Sequence, residues 1–126
     1  MVVTGIFMVK KKILVVDDEP YHRIILKEYF AEEYFVDFCD NGERCLEYLE
    51  SNTPDMILLD LMMPFVDGYE VIKFLKSHEN FADIPVIICS SSIYRGYDSL
   101  SENQNLDYIM KPFTEEEILR KVGEFI

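Results

Sequence analysis

The run Met56-Ile57-Leu58-Leu59 is followed at once by Asp60. Four consecutive apolar residues after Pro54 predict a short strand that is buried on both faces, as in a parallel sheet. Ligands of open parallel sheets bind beyond the carboxyl ends of the strands. A single Asp at a strand end more often caps a turn than performs chemistry, so the other strand ends decide between the two interpretations.

A second strand with the same ending is predicted near the start of the chain. Lys12 and the four aliphatic residues after it lead directly into Asp17 and Asp18. Glu19-Pro20 then predicts the start of a helix, because proline suits the first helical turn. Two predicted strands therefore end on carboxylates.

The rest of the chain continues this alternation of strands and helices. Strands are predicted at residues 12–16, 35–39, 56–60, 84–89 and 107–110, with helical apolar spacing between and after them. Capping boxes are predicted at Asp67 with Glu70 and at Thr114 with Glu117, and a short or frayed helix between Ser91 and Asn105. Strands joined by helices predict an α/β fold with a doubly wound parallel sheet.

Such a sheet would bring the strand ends into one pocket, and these are Asp17, Asp18, Asp60, Ser90 and Lys111. Three carboxylates in one place repel each other, and a hard divalent cation removes that conflict. Magnesium prefers oxygen ligands and commonly partners phosphate groups. Lys111 and Ser90 carry the charge and the hydroxyl that suit a phosphate.

Composition excludes several other functions. The net charge of −12 argues against direct binding to nucleic acid or to an anionic membrane. Cys39, Cys45 and Cys89 lack metal-ligand spacing, which favours reduced thiols in a cytoplasmic protein, with Cys39 and Cys89 as core residues of strands. His22 and His78 have no Cys or His at metal-ligand spacing, so both are interpreted as surface residues of helices.

The length of 126 residues indicates one domain, which we expect to span residues 10–126. Residues 1–9 are apolar and precede three lysines, the reverse of the order in a secretory signal, and they are too short to span a bilayer. We expect them to be a disordered N-terminal extension or added sequence, with Met8 as an alternative start.

Five motifs in order carry a resemblance to a known family. They are Asp17-Asp18-Glu19-Pro20, Asp60 with Met63-Pro64 and Asp67-Gly68, Pro85-Val86 leading to Ser90, Tyr108, and Lys111-Pro112-Phe113. Over residues 11–126 the chain resembles the receiver domain of two-component response regulators, the chemotaxis-regulator-like family. The resemblance implies a flavodoxin-like (βα)5 fold with strand order 2-1-3-4-5.

The resemblance also implies a mechanism. Asp60 would be the phosphoacceptor, attacking a phosphohistidine of a sensor histidine kinase or phosphotransfer protein. Asp18 and Asp60 would hold Mg²⁺ with the backbone carbonyl of Met62, and Asp17 would act mainly through water. Lys111 would neutralise charge on the phosphoryl group.

A conformational switch is implied as well. Ser90 would follow the bound phosphate and Tyr108 would turn inward behind it. The Lys111–Pro112 bond is expected to be cis. The chain would catalyse its own phosphorylation and dephosphorylation as a cytoplasmic signalling switch rather than a turnover enzyme. It would act as a monomer or a weak phosphorylation-linked dimer on a downstream protein or output domain.

Two alternative functions compete with this interpretation. A haloacid dehalogenase-like phosphatase needs a second Asp two residues after the acceptor, where this chain has Met62. A receiver-like interaction module that works without phosphorylation usually lacks an acidic residue or the lysine, and here all are present. The output stays open between a freestanding receiver and part of a longer regulator.

Overall fold

Five parallel strands form one sheet in the order β2-β1-β3-β4-β5. The computed structural model describes residues 9–61, 68–91 and 105–126. Its elements are β1 (Lys11–Val16), α1 (Pro20–Phe30), β2 (Tyr34–Cys39), α2 (Gly42–Leu49), β3 (Met56–Asp60), α3 (Gly68–Ser77), β4 (Val86–Ser90), β5 (Leu106–Met110) and α4 (Glu115–Gly123). The predicted α/β fold and strand order are confirmed. The helix predicted between Ser91 and Asn105, and the cap at Asp67, lie outside the described residues.

The sheet separates two apolar clusters because successive side chains of a strand point to opposite faces. Ile13 and Val15 of β1 pack with α1 and α4, while Leu14 and Val16 pack with α2 and α3. All five residues of β3 are buried, as predicted for a central strand covered on both faces. The helices therefore cover both faces and leave the ends of the strands open.

Local sequence signals set where the helices begin. Pro20 occupies the first turn of α1, and the side chain of Asn41 accepts a hydrogen bond from the backbone N–H of Arg44 at the start of α2. Thr114 and Glu117 form both hydrogen bonds of the predicted capping box at α4. The longest described helix, α1, has 11 residues. Among the described residues, no helix has the length and apolar character needed to cross a membrane.

The three cysteines are free and buried. Burial raises the pKa of Cys39 to about 11 and that of Cys45 and of Cys89 to about 12. Cys39 and Cys89 are core residues of β2 and β4, as predicted. All three therefore act as neutral packing groups near neutral pH.

Lys76 connects the end of α3 to the segment that leads into β4. Its Nζ donates hydrogen bonds to the carbonyl oxygens of Ala82, at 3.1 Å, and of Ile84, at 3.2 Å. Burial lowers the pKa of Lys76, and the nearby charge of Asp83 opposes that shift. The lysine thus donates hydrogen bonds to two carbonyl groups that lie outside the helices and strands. These bonds fix the segment before β4 and so help to hold β4 beside β3.

We predict that Lys76→Met destabilises the domain. The substitution keeps most of the side-chain volume but removes the donor for two partly buried carbonyls, which costs about 1–2 kcal/mol. The measurement is the free energy of unfolding in urea. Lys73→Met, at an exposed position of the same helix, is the matched control and should change stability little; equal losses in both variants would contradict the assigned role.

Candidate functional site

Carboxylates from two adjacent strands meet at the open edge of the sheet. Asp17 and Asp18 follow β1, and Asp60 is the last residue of β3, which pairs directly with β1. Each of these residues offers one carboxylate oxygen, and the three oxygens all lie within 4.8 Å of one another. Asp17 is 3% exposed and Asp60 is 9% exposed, whereas Asp18 is exposed. The predicted convergence of these three side chains is present.

Lys111 follows the edge strand β5 and places a positive charge beside the carboxylates. Its backbone N–H donates to the carbonyl of Ser90 at 2.8 Å, which ties the end of β5 to the end of β4. Its Nζ lies 3.0 Å from Oδ2 of Asp17 and 3.6 Å from Oδ2 of Asp60. Burial alone would lower the pKa of Lys111, but the hydrogen bond that Lys111 donates to Asp17 and the charges of both carboxylates raise it overall. The side chain is therefore a cation.

The chain turns sharply after Lys111. The Lys111–Pro112 peptide bond is cis, as expected from the resemblance. Phe113 then packs against the apolar cluster beneath α1 and α4, and Thr114 caps α4. The lysine thus stands between two fixed points, the Ser90 carbonyl and the half-buried Phe113 ring.

Both oxygens of the Asp17 carboxylate accept hydrogen bonds from other groups of the protein. Oδ1 accepts a hydrogen bond from the backbone N–H of Glu19 at 2.9 Å. Oδ2 accepts one from Lys111 and also lies 3.1 Å from Nδ1 of His22. Asp17 is accordingly held in one orientation, between the start of α1 and the end of β5.

His22 lies on a helix and is partly exposed, as predicted, but it also contacts the acidic site, which the sequence did not predict. His22 lies on α1 with 37% of its side chain exposed, and its Nδ1 is 3.1 Å from Nζ of Lys111. The lack of other Cys and His residues at metal-ligand spacing argues against a zinc site, but it carries no information about contacts of His22 with a lysine or a carboxylate. The available signal was position: His22 lies in the first turn of the helix that begins just after Asp17. His78, the other histidine, stacks with Phe74 and Phe81 away from this site.

Ser90 and Tyr108 contact each other beside the carboxylates. Ser90 ends β4 and is 1% exposed, and Tyr108 lies on the neighbouring strand β5. Burial raises the pKa of Tyr108, and a hydrogen bond with the Ser90 side chain partly offsets that shift. The Tyr108 ring packs against the cluster under α2 and α3. The two residues predicted to form a switch are therefore joined in this structure.

A cavity of about 450 Å³ opens between α1 and the turn after β5. Its walls include Asp17, Asp60 and Lys111, and its apolar side is formed by Ile25, Leu26, Tyr29, Leu58 and Phe113. Ser91 lines the cavity as well. Met62, whose backbone carbonyl was a predicted ligand, lies outside the described residues. The cavity gives small solutes access to the Asp60 carboxylate.

Gly68 holds the start of α3 against the strand that carries Asp60. Its backbone N–H donates to the carbonyl of Leu61 at 3.3 Å. A Cβ at this position would lie 2.7 Å from Cα of Leu61 and 2.8 Å from the carbonyl oxygen of Asp60. Both contacts are with backbone, which cannot move aside without displacing the end of β3. A glycine is required here by the close approach of two chain segments.

The arrangement can bind a cation and an anion next to each other. Three carboxylates within reach of one ion are oxygen ligands of the type that Mg²⁺ prefers. The Lys111 ammonium is a point charge for an anionic oxygen close to Asp60. An anion held there is positioned for attack by the Asp60 carboxylate.

Comparison with known proteins agrees with this geometry. The sequence profile of the response regulator receiver domain matches residues 13–123. The chain is 34% identical over 123 residues to sporulation initiation phosphotransferase F of Bacillus subtilis strain 168, covering 94% of this chain and 96% of that protein. It is 33% identical over 114 residues to hybrid signal transduction histidine kinase D of Dictyostelium discoideum, covering 90% of this chain but only 7% of the kinase.

A solved structure shares the same fold. The receiver domain of a sensor histidine kinase from Pseudomonas aeruginosa PAO1 was crystallised with a magnesium ion coordinated in its active-site cleft. It superimposes with a TM-score of 0.82 at 24% sequence identity, over 93% of this chain and 98% of that one. The likeness establishes that the five-stranded architecture is shared.

Gly68→Ala should destabilise the domain. The added methyl group would overlap the backbone of Asp60 and Leu61, and overpacking of this kind costs about 1–3 kcal/mol. Chemical denaturation followed by circular dichroism measures the loss. Gly123→Ala in α4 is the control, because a Cβ there meets nothing within 4 Å and alanine favours the helix. A Gly68 variant as stable as the control would show that the close approach is not required.

Proposed function

The chain belongs to the response regulator receiver domain family, and we propose that Asp60 is the residue on which it is phosphorylated. It is a receiver domain of two-component signalling. The observation that carries the assignment to Asp60 is the ammonium of Lys111, which lies 3.6 Å from the Asp60 carboxylate within a group of three acidic side chains. Asp17 has both oxygens bound by the protein, and Asp18 is exposed.

In the proposed reaction an oxygen of the Asp60 carboxylate attacks the phosphorus of a phosphohistidine on a partner. The new O–P bond gives an aspartyl phosphate as the P–N bond breaks. The electron pair of that bond remains on the histidine nitrogen, which takes up a proton. Lys111 contributes a positive charge to the oxygens of the transferring group, and such charge stabilisation is most of what this step needs.

The acidic group fits a magnesium ion. Asp18 and Asp60 are the proposed direct ligands, with the Met62 carbonyl as a further one and Asp17 contributing through water. The two protein hydrogen bonds to Asp17 support this division, since they occupy both of its oxygens. When bound, the ion would neutralise charge on the phosphoryl oxygens. The magnesium ion in the cleft of the Pseudomonas receiver domain is consistent with this assignment.

Ser90 and Tyr108 are the proposed switch. Their mutual hydrogen bond and the packing of Tyr108 on the core give the pair one defined arrangement before phosphorylation. A phosphoryl group on Asp60 would compete with Tyr108 for the Ser90 hydroxyl. Ser90 would then follow the phosphate, and Tyr108 would turn inward behind it, which would alter the surface around β5.

The proposed partners are a sensor histidine kinase or a phosphotransfer protein as donor, and a downstream protein or output domain as receiver of the signal. The donor class is supported by the family and by relatives that are histidine kinases or phosphotransferases. A cytoplasmic location is proposed as well, and the same family supports it. A receiver-like module that works without phosphorylation is the second candidate, and the variants below distinguish the two.

We predict that Asp60→Asn abolishes phosphorylation by acetyl phosphate and Mg²⁺, because an amide oxygen is a poor nucleophile. Phos-tag electrophoresis measures the phosphorylated fraction. Asp40→Asn is the matched control: Asp40 follows β2 at the same edge of the sheet but pairs with Arg44 and is outside the acidic group. It should be labelled like the wild type. Labelling of the Asp60 variant would exclude Asp60 as acceptor, and an unlabelled wild type would favour the phosphorylation-independent module.

Magnesium chloride should raise the melting temperature of the wild type, because the ion relieves repulsion among the three carboxylates and binds only the folded state. At ten times the dissociation constant the gain is about 1.4 kcal/mol, or a few degrees. Differential scanning calorimetry at constant ionic strength measures it. Asp18→Asn should lose most of this gain, whereas Asp40→Asn should keep it. An equal gain in all three proteins would argue against a site at Asp18.

A further inference from the structure

The proposed reaction gives no role to His22, a polar side chain that lines the cavity. His22 reaches across from α1, and its Nδ1 lies 3.1 Å from Nζ of Lys111 and 3.1 Å from Oδ2 of Asp17. Lys111 also donates to that Asp17 oxygen at 3.0 Å. The ammonium, the carboxylate and the imidazole therefore form a closed triangle of polar contacts beside Asp60.

Each contact of Nδ1 favours a different tautomer of the imidazole. An ammonium group only donates hydrogen bonds, so the contact of 3.1 Å with Lys111 is attractive if Nδ1 carries a lone pair, whereas the contact of 3.1 Å with Asp17 is attractive if Nδ1 carries a proton. Oδ2 of Asp17 already accepts a hydrogen bond from Lys111 at 3.0 Å. Nδ1 can therefore serve as a second acceptor for the same ammonium, in the tautomer with the ring proton on Nε2.

We propose that His22 is a positioning residue for Lys111. Asp17 and His22 accept from two of the three ammonium hydrogens, which leaves the third for the Asp60 side, where Oδ2 is 3.6 Å from Nζ. A lysine side chain has four rotatable bonds, so two fixed acceptors restrict its orientation far more than one. The inference rests on the proposed function, because the group that Lys111 would serve is the phosphoryl group arriving at Asp60.

Removal of the His22 acceptor would change which groups bind the ammonium of Lys111. Without Nδ1, the carboxylates of Asp17 and Asp60 remain as acceptors near the ammonium among the described residues. Lys111 would then lose its orientation or close on Asp60, where it would cover the nucleophilic oxygen. Both changes slow the transfer of a phosphoryl group.

Two substitutions at position 22 separate positioning from packing. His22→Leu keeps an apolar body in the cavity wall but removes the acceptor, whereas the side-chain oxygen of His22→Asn lies close to the place of Nδ1. With acetyl phosphate and Mg²⁺, the Leu variant should show a maximal labelling rate about three- to tenfold lower, the size of one hydrogen bond. Its half-saturation for acetyl phosphate should stay within about twofold. The Asn variant should recover most of the rate.

Two controls show whether His22 acts through the lysine. In a Lys111→Ala background, His22→Leu should cause no further loss, because the residue it positions is gone. Ile24→Asn, on an exposed position of the same helix, should label at the wild-type rate. Additive losses in the double variant, or an Asn variant as slow as the Leu variant, would overturn the proposal.

A spectroscopic measurement tests the contact without phosphorylation. Long-range ¹H–¹⁵N spectra of the labelled wild-type protein should show His22 with its proton on Nε2, and Lys111→Ala should shift the Nδ1 resonance. A proton on Nδ1 would mean donation to Asp17 and would overturn the inference. If the wild type is not labelled but the spectra are as expected, the proposed function fails and the contact stands. If the wild type is labelled and His22→Leu labels equally fast, this inference alone fails.

Discussion

The ion pair that joins Lys111 to Asp17 and Asp60 is the interaction on which this structure depends. It connects Asp17, after β1, with Lys111, which lies 94 positions later after β5, across the two intervening strands β3 and β4. Two nearly buried carboxylates would be costly without a counter-charge, and one ammonium serves both. Breaking it by removing the lysine would leave uncompensated charge in the centre of the site. The same ammonium is the group best placed to receive a further anion, so stability and function share one side chain.

The parallel sheet makes this pairing possible. Every strand ends at the same edge, and the register of β1 with β3 places Asp17 and Asp60 side by side. Backbone contacts then fix the details. The Ser90 carbonyl holds Lys111, the Glu19 N–H holds Asp17, and Gly68 lets α3 begin directly against Asp60. Each contact is made near the carboxyl end of a strand, where the sheet rests on the packed core and the edge of the sheet is open to solvent.

Much of this could be predicted from the sequence, because the decisive signals were local. Apolar runs that stop on Asp17 and Asp60 predict both the strands and their ends, and Thr114 with Glu117 predicts the start of the last helix. The parallel fold then follows from the order of the elements, and with it the convergence of Lys111 on the carboxylates.

The contacts that the sequence did not predict are made by groups of different helices and strands. His22 has a sequence environment typical of an exposed helix, and its contact with Lys111 joins residues that are 89 positions apart in the chain. The two hydrogen bonds that occupy Asp17 likewise come from separate segments, as does the contact of Ser90 with Tyr108. No periodicity encodes such contacts. Met62 lies outside the described residues, so the role of its carbonyl stays a prediction from the resemblance.

The central claim is that the phosphoryl group forms its bond with the side chain at position 60. Borohydride reduces an aspartyl phosphate to homoserine, so reduction of the phosphorylated wild type followed by peptide mass spectrometry locates the bond directly. We expect homoserine at position 60 in the phosphorylated sample, and no homoserine in a sample without a phosphodonor. Homoserine at position 17 or 18, or a stable phosphate on Ser90 with position 60 unchanged, would contradict it.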